Sequence, residues 1–476
     1  MRPSFYRLNP FQRVVLFWRS LSLPGLFVAS FAFLIALGTA GLCVLPGIYV
    51  GERVSFWDAL FTMTHAVCLT GLTVFDVSKK FTFFGQLWLL LFIQMGGLGL
   101  FTFSSLIIGS LGRRMSIRSE LLTSTSLEGR SRSKDVGDLA RQVARFALLL
   151  EGVGALILWP QLVREFSLRG ILDGLWNAVF LAITAFCNAG LALYPDSLAS
   201  FARRPFVLLP ISILVILGGL GFLVFEETIR WWKSRGAKCR QRFSTHSLCV
   251  FAVTGALLLS GFLSFLILEW SGVLADFGIV DKIVNAFVMS VMSRTAGFTS
   301  VDYSLVSNET AYMTILLMFI GGSPGSTASG LKTTTAALIL AQAVARIRGR
   351  RYVSMFHRTI SPSTVRRATS SALMTLMILL FVLFLLSFTE RGLCGGDVAM
   401  ARKDFLPLIF ETVSALSTVG LSLGFDCPLS HAGHVVLIIL MFIGRVGLVA
   451  FSAAISLREK DSLSGFRPAQ ENVFIG

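Results

Sequence analysis

The chain has 476 residues, 54% of them hydrophobic and 14% charged, with a mean hydropathy of +0.75. Soluble globular chains carry about 25% charged residues, so the shortfall excludes an ordinary water-soluble domain and points to a bilayer as solvent. The formal charge of +16 would suit a nucleic-acid partner, but its placement along the chain argues against one.

Residues 1–23 read as a cytoplasmic N-terminal segment. Arg2, Arg7, Arg13 and Arg19 alternate there with aromatic residues and lead into an apolar stretch too long for the core of a signal peptide. A spanning helix needs about 20 mostly apolar residues. Eight segments qualify, near 24–47, 84–111, 140–162, 204–228, 246–270, 309–343, 370–389 and 430–456. They pair into four units at 24–111, 140–228, 246–343 and 370–456, followed by a cytoplasmic tail at 457–476. Inside each pair lies a shorter apolar segment, near 57–69, 174–188, 282–295 and 405–418. These are too short to cross and too apolar for a surface loop, as expected of re-entrant pore helices. Each starts near an acid (Asp58, Asp173, Asp281 or Asp404), which suits the positive end of a helix dipole. The opposite end then points into the membrane, where a cation would sit.

Most of the 42 basic residues fall before the first span, in the connections 113–145, 230–242 and 346–367, and after the last span at Arg458, Lys460 and Arg467. The alternate connections are shorter and richer in acid, with Glu52, Asp76, Asp196, Asp276, Asp302 and Asp426. This is the positive-inside pattern, with both termini cytoplasmic. The basic connections suit anionic lipid head groups or the docking of a cytoplasmic partner. Seven cysteines show no metal-ligand spacing; Cys394 and Cys427 could both face outside, where a disulfide is one reading. The five histidines form no metal cluster, and His65 is expected to pack behind the pore.

An internal repeat orders these segments. Ala66-Val-Cys-Leu-Thr-Gly71, Ala185-Phe-Cys-Asn-Ala-Gly190, Met292-Ser-Arg-Thr-Ala-Gly297 and Ala415-Leu-Ser-Thr-Val-Gly420 superpose without gaps. Phe61, Phe180, Phe287 and Phe410 precede the final glycines at one fixed offset, and Leu72, Leu191, Phe298 and Leu421 follow them directly. Each unit then reaches a second glycine motif: Gly96-Gly-Leu-Gly99, Gly218-Gly-Leu-Gly221, Gly321-Gly-Ser-Pro324 and Gly444-Arg-Val-Gly447. The expected fold class is an all-α integral membrane protein of four tandem helix–pore loop–helix repeats around one pseudo-fourfold pore. The second motifs read better as close helix packing.

Backbone without hydrogen bonds is tolerated at membrane depth only inside protein or against water. A potassium filter uses such backbone, its carbonyl oxygens replacing the ion's water shell, and glycine reaches the angles this requires. The ion-binding positions are therefore expected at Leu69, Thr70 and Gly71; Asn188, Ala189 and Gly190; Thr295, Ala296 and Gly297; and Thr418, Val419 and Gly420. One glycine per unit implies a shorter filter than the Thr-Val-Gly-Tyr-Gly string provides.

The stretch Gly321, Gly322, Ser323, Pro324, Gly325, Ser326, Thr327, Ala328, Ser329, Gly330, Leu331, Lys332 interrupts the sixth span. It imitates a nucleotide-binding P-loop, but Leu331 intervenes between Gly330 and Lys332. The reading adopted is a broken helix, with Pro324 removing a backbone donor and the loop able to obstruct the pathway. Lys332 is expected to face water or an acid. Arg445 either snorkels from a helix end or faces the cavity and touches this loop. Arg294 is expected to brace carbonyls or pair with Glu411.

These residues resemble the Trk/Ktr/HKT superfamily of potassium transporters, and within it the KtrB branch. The most specific strings are Phe319-Ile-Gly-Gly-Ser-Pro-Gly-Ser-Thr-Ala328, Lys332-Thr-Thr-Thr335, Arg294-Thr-Ala-Gly-Phe298 and Gly444-Arg445, and the likeness runs through essentially the whole chain. It implies potassium as cargo, a homodimer with a contact at Gly476, a cytoplasmic KtrA-like nucleotide-binding ring, and in some members stimulation by sodium. It also implies a bacterial cytoplasmic membrane location and a gate formed by the 321–335 loop with Arg445. Gly71 keeps the potassium type where a serine would favour sodium. Ser329 and Leu448 depart from the family's usual glycine and proline. An obligatorily coupled sodium/potassium symporter is the alternative reading, and a membrane ATPase using residues 325–333 a third.

Overall fold

Four times in succession the chain runs as a long apolar helix, a shorter helix and a second apolar helix. The computed structural model describes residues 23–99, 132–163, 170–234, 242–390, 404–424 and 429–447. Cys394, Cys427, Leu448, Gly476, both terminal segments and most of the 113–145 connection lie outside the described residues. The first unit holds α1 (Leu23–Val44), α2 (Phe56–Cys68) and α3 (Phe83–Gly99). In the second, α4 (Arg132–Val163) and α5 (Gly170–Cys187) precede a second helix in two pieces, α6 (Pro205–Leu220) and α7 (Phe222–Lys233). The third contains α8 (Thr245–Leu268), α9 (Ile279–Met292), α10 (Asn308–Phe319) and α11 (Thr333–Ile347). A small hairpin of β1 (Ser354–Met355) and β2 (Arg358–Thr359) then leads to α12 (Pro362–Thr389), α13 (Phe405–Ser417) and α14 (His431–Val446).

Among the described residues, five helices are long and apolar enough to cross a membrane, and the α6–α7 pair adds a sixth if its 98° bend is one broken span. Large apolar side chains point outward, among them Leu156, Leu172, Ile267 and Phe384, all more than 60% exposed. Such a belt is a liability in water and well solvated in lipid. Helix α5 passes the length test although the sequence suggested a short segment from 174. Its N-terminus lies a turn earlier, at Gly170, with Asp173 inside the first turn. Its sequence equivalence to α2, α9 and α13 identifies its role better than its length does.

Each short helix packs on the first helix of its own unit and on the second helix of the preceding unit. The α2 helix lies against α14, α9 against α6, and α13 against α10. In the remaining pair, Trp176 Nε1 on α5 donates to Gln86 Oε1 on α3 at 2.8 Å. The order therefore closes on itself, 1-2-3-4-1, around a common centre.

The outer ends of units three and four share a device that the sequence did not suggest. Glu269, just past α8, accepts from Ser307 N at 3.0 Å and Ser307 Oγ at 2.9 Å, while Ser307 caps α10. Glu390, just past α12, accepts from Ser430 N and Oγ at 2.9 and 2.7 Å, while Ser430 caps α14. Each glutamate thus satisfies the positive start of the second helix from the end of the first. Burial pushes the Glu269 carboxyl up, but hydrogen bonds from Thr310, Ser307 and Val273 outweigh it and leave it below the ordinary value of 4.5. A carboxyl depressed on folding adds stability above its unfolded value and loses it as pH falls through the folded one. Glu269→Gln should therefore cost about 1.5–3 kcal/mol near neutrality. Thermal unfolding across a pH series should show the gap to wild type shrinking only below pH 4.5.

Candidate functional site

The four glycine turns meet. A Cβ built on Gly71 would lie 2.9 Å from Ala189 O and 3.3 Å from Gly190 Cα, and one on Gly190 would lie 2.7 Å from Ala296 O. On Gly297 it would overlap Val419 O, and on Gly420 it would overlap Thr70 O. Each glycine thus faces the carbonyl of the residue preceding the next unit's glycine, in the same cyclic order as the helices. All four have φ between +67° and +93°, a region L side chains rarely enter. Two residues earlier, Leu69, Asn188, Thr295 and Thr418 also have positive φ, from +51° to +77°, while Thr70, Ala189, Ala296 and Val419 between them do not. The sign of φ thus alternates, which turns successive carbonyls to one side instead of opposite sides as in a strand.

The turns hang from the C-terminal ends of the short helices. Thr70 N donates to His65 O at 2.9 Å, Ala189 N to Thr184 O at 2.8 Å, and Val419 N to Ser414 O at 2.8 Å. In the third unit Ala296 N and Gly297 N both donate to Met292 O, each at 3.2 Å. The amides are directed back, and none of the twelve carbonyls from Leu69–Gly71, Asn188–Gly190, Thr295–Gly297 and Thr418–Gly420 accepts a hydrogen bond from the described residues. Twelve peptide oxygens stand free beside the negative ends of four helix dipoles. Among the described residues no group of three or more His, Cys, Asp or Glu side chains could hold a metal ion. His65 on α2 lies fully buried.

The second glycine motifs do pack closely. A Cβ on Gly96, Gly218 or Gly444 would overlap Val67 O, Phe186 O or Leu416 O, each near the end of a short helix. The helices expected to run through 204–228 and 430–456 stop, however, at the fourth residue of the motif. Gly221 (φ 88°, ψ 148°) and Gly447 (φ 82°, ψ 136°) share one non-helical conformation.

The interruption of the sixth span runs between Phe319 and Thr333, where Ile320 and Leu331 form a parallel bridge. Its strand-like ends close a loop that reaches two other units. Ser323 N donates to Gly219 O at 3.1 Å, Thr327 N to Gly218 O at 3.2 Å, and Phe222 N to Gly325 O at 3.1 Å. The carbonyls of Pro324 and Gly325 occupy the space a Cβ on Gly221 would need, so the loop and the bend in unit two are one arrangement. Gly325 and Gly330 have φ of +77° and +72°. Ser326 Oγ donates to Ser323 O at 2.6 Å. Gly321 lies against Ser329 O and Gly330, and Gly322 against Ala328. Lys332 Nζ folds back on Ala328 O at 2.6 Å and pairs with no acid among the described residues.

Arg445 is 2% exposed and does not snorkel. It donates to Thr327 O, to Ser329 Oγ at 3.2 Å, and to Gly96 O of unit one at 3.0 Å. Ser329 is thereby an acceptor for the arginine, a role glycine could not fill. Arg294 NH2 donates to Gly321 O at 3.2 Å, which matches bracing of a carbonyl and not the pairing with Glu411. One residue escaped sequence reading altogether. Glu151, in the middle of α4 and 3% exposed, accepts from Gln94 Nε2 at both carboxylate oxygens, at 3.1 and 2.9 Å. Cys187 Sγ, next to the second glycine turn, contacts Gln94 Oε1 at 3.6 Å and Glu151 Oε1 at 3.9 Å. An acid within an apolar helix was the available signal.

The family described as TrkH, cation transport protein, matches residues 39–465. The chain belongs to the TrkH cation transport protein family. It is a transporter and not an enzyme, and a multi-pass membrane protein. It is 36% identical over 97% of its length, and 98% of the relative's, to "Ktr system potassium uptake protein B" of Bacillus subtilis. It is 33% identical over 96% of its length, and 98% of the relative's, to "Potassium/sodium uptake protein NtpJ" of Enterococcus hirae. The crystal structure of the potassium transporter TrkH from Vibrio parahaemolyticus matches with a TM-score of 0.65 and 18% identity, over 95% of this chain and 86% of that one. That likeness places this TrkH-family chain in the same fold.

Gly420→Ala should abolish ion uptake by cells expressing the full chain, since its Cβ meets backbone and its φ is +93°. Gly152→Ala, with nothing within 4 Å of the added methyl, should leave uptake unchanged. Glu151→Ala should lower thermal stability by about 2 kcal/mol through the stranded Gln94 amide, while Glu151→Gln should recover much of that loss.

Proposed function

We propose that this chain carries potassium into the cell through a filter made of the twelve free peptide oxygens at Leu69–Gly71, Asn188–Gly190, Thr295–Gly297 and Thr418–Gly420. The observation that carries the reading is the closed ring of four glycine turns whose amides bond backward and whose carbonyls accept no hydrogen bond from the described residues. Dehydrated potassium is a cation that such oxygens suit. The names of the two relatives, both potassium uptake proteins, support the same cargo.

The loop Gly321–Lys332 acts as the gate, with Gly321, Gly322, Ser323, Pro324, Gly325, Ser326 and Gly330 forming its bends. Arg445 latches it by bonding Thr327 O and Ser329 Oγ, and its uncompensated charge adds a barrier to a cation. The basic connections face the cytoplasm, which puts both termini inside a bacterial inner membrane. The likeness to a Ktr system subunit supports a homodimer controlled by a KtrA-like cytoplasmic ring. A contact at Gly476 belongs to that proposal.

Sodium coupling is the second reading. It is favoured by the buried Glu151 carboxyl beside the second turn and by the sodium in one relative's name. Potassium flux into proteoliposomes with sodium wholly absent separates the two: a channel-like pathway conducts, an obligatory symporter does not. Gly71→Ser should shift uptake from potassium towards sodium in a transport-deficient strain, and an unchanged preference would refute the filter assignment. Arg445→Gln should raise unregulated flux several-fold, because one neutral amide cannot hold all three acceptors.

A further inference from the structure

Beyond the ion pathway, a cavity of about 340 Å³ opens on the basic side of the molecule, between the end of α11, the β1–β2 hairpin and the start of α12. Arg346, Arg350, Arg351 and Arg366 line it, together with Thr369 and Ser370. Among the described residues none of the four guanidinium groups has a carboxylate within salt-bridge distance. The cause lies in the sequence: from Thr333 to Thr389 there is no Asp or Glu. Four like charges held around one concavity repel one another, and an anion placed among them relieves that repulsion. Arginine forks and two hydroxyl groups match a phosphate, which takes several donors at once.

The cavity also has a wall that free phosphate would not use. Val353, Ile360, Pro362 and Val365 line it beside the arginines. The wall is held in shape from both sides. Ile360 N donates to Val353 O at 2.9 Å at the base of the hairpin, and Thr369 Oγ1 donates to Gln342 Oε1 at 2.9 Å between α12 and α11. Along α12, Leu373 (59% exposed) and Met377 (62% exposed) follow directly, and Leu340 (67% exposed) lies on α11, which packs against α12. Ser370 to Leu373 is about 4.5 Å of helix rise. The charged pocket therefore sits where the lipid-facing belt ends, and Tyr352, an aromatic typical of the membrane interface, borders it.

We propose that this cavity binds the phosphate of an anionic lipid from the cytoplasmic leaflet, with the acyl chains lying along Leu340, Leu373 and Met377. The shared chemistry with soluble phosphate compounds is the arginine set. The adjoining apolar belt selects the lipid. The site makes no use of the ion pathway and stands or falls independently of it.

The test uses the full-length protein and native mass spectrometry, with phosphatidylglycerol against phosphatidylcholine. Wild type should retain phosphatidylglycerol preferentially, and R346Q/R350Q/R366Q should lower that retention about tenfold. R348Q/R358Q/R367Q removes the same charge from exposed neighbours that do not line the cavity, and should retain the lipid. R350K/R366K keeps the charge without the fork, should fold as wild type does, and should bind at an intermediate level. Equal loss in the two triple variants would overturn the proposal in favour of diffuse surface charge. So would equal retention of the two lipids by wild type, or displacement of bound phosphatidylglycerol by inorganic pyrophosphate at stoichiometric concentration.

Discussion

The approach of four backbones to within van der Waals distance, at positions where no Cβ can stand, governs this molecule. Gly71, Gly190, Gly297 and Gly420 each abut the next unit's carbonyl, and that proximity requires both positive φ and a missing side chain. The short helices exist to deliver these turns, ending at the same depth with their dipoles aimed inward. The second helices of each unit then crowd against the ends of the short helices through Gly96, Gly218 and Gly444. Small residues at one level thus permit small residues at the next, and the centre is assembled from main chain with side chains as the outer support.

Unit three departs from this plan. Where the other units press a glycine onto the end of a short helix, Gly321 lies against its own loop at Ser329 and Gly330. The carbonyl of Gly321 is held by Arg294, and the loop it opens bonds to Gly218, Gly219 and Phe222 of unit two and to Arg445 of unit four. A helix end normally leaves carbonyls unsatisfied; here Leu331 N and Arg294 meet those of Phe319 and Gly321, while units two and four meet those of Gly325 and Thr327. The break is thus stabilised by its surroundings, and any rearrangement of the loop must exchange those bonds together.

Buried ionisable groups mark the same region. Arg445 and Arg294 bond to backbone oxygens, and Glu151 to an amide, so each charge is met by dipoles instead of a counter-ion. Dipole partners permit movement of a charged group without creating a lone opposite charge, which an ion pair would not. At the outer surface the logic is reversed: Glu269 and Glu390 clamp fixed helix ends.

Much was legible in the sequence because the repeat is written in residue types that have few other uses. Four glycines at matching offsets, acids at the starts of short apolar segments, and the alternation of basic and acidic connections determined the fold class and located the turns. The break near Pro324 was equally visible. The 98° bend at Gly221 was not, since a lone glycine in an apolar run says nothing about the loop that lodges against it from another unit. The partners of Arg445 were hidden for the same reason, while the partner of Arg294, the clamps at Glu269 and Glu390, and the placement of Glu151 beside Cys187 join helices within one unit that only its packing brings together. Local pattern fixes which backbone each segment adopts, whereas contacts between separate segments arise only when each unit packs and the four units close into a ring.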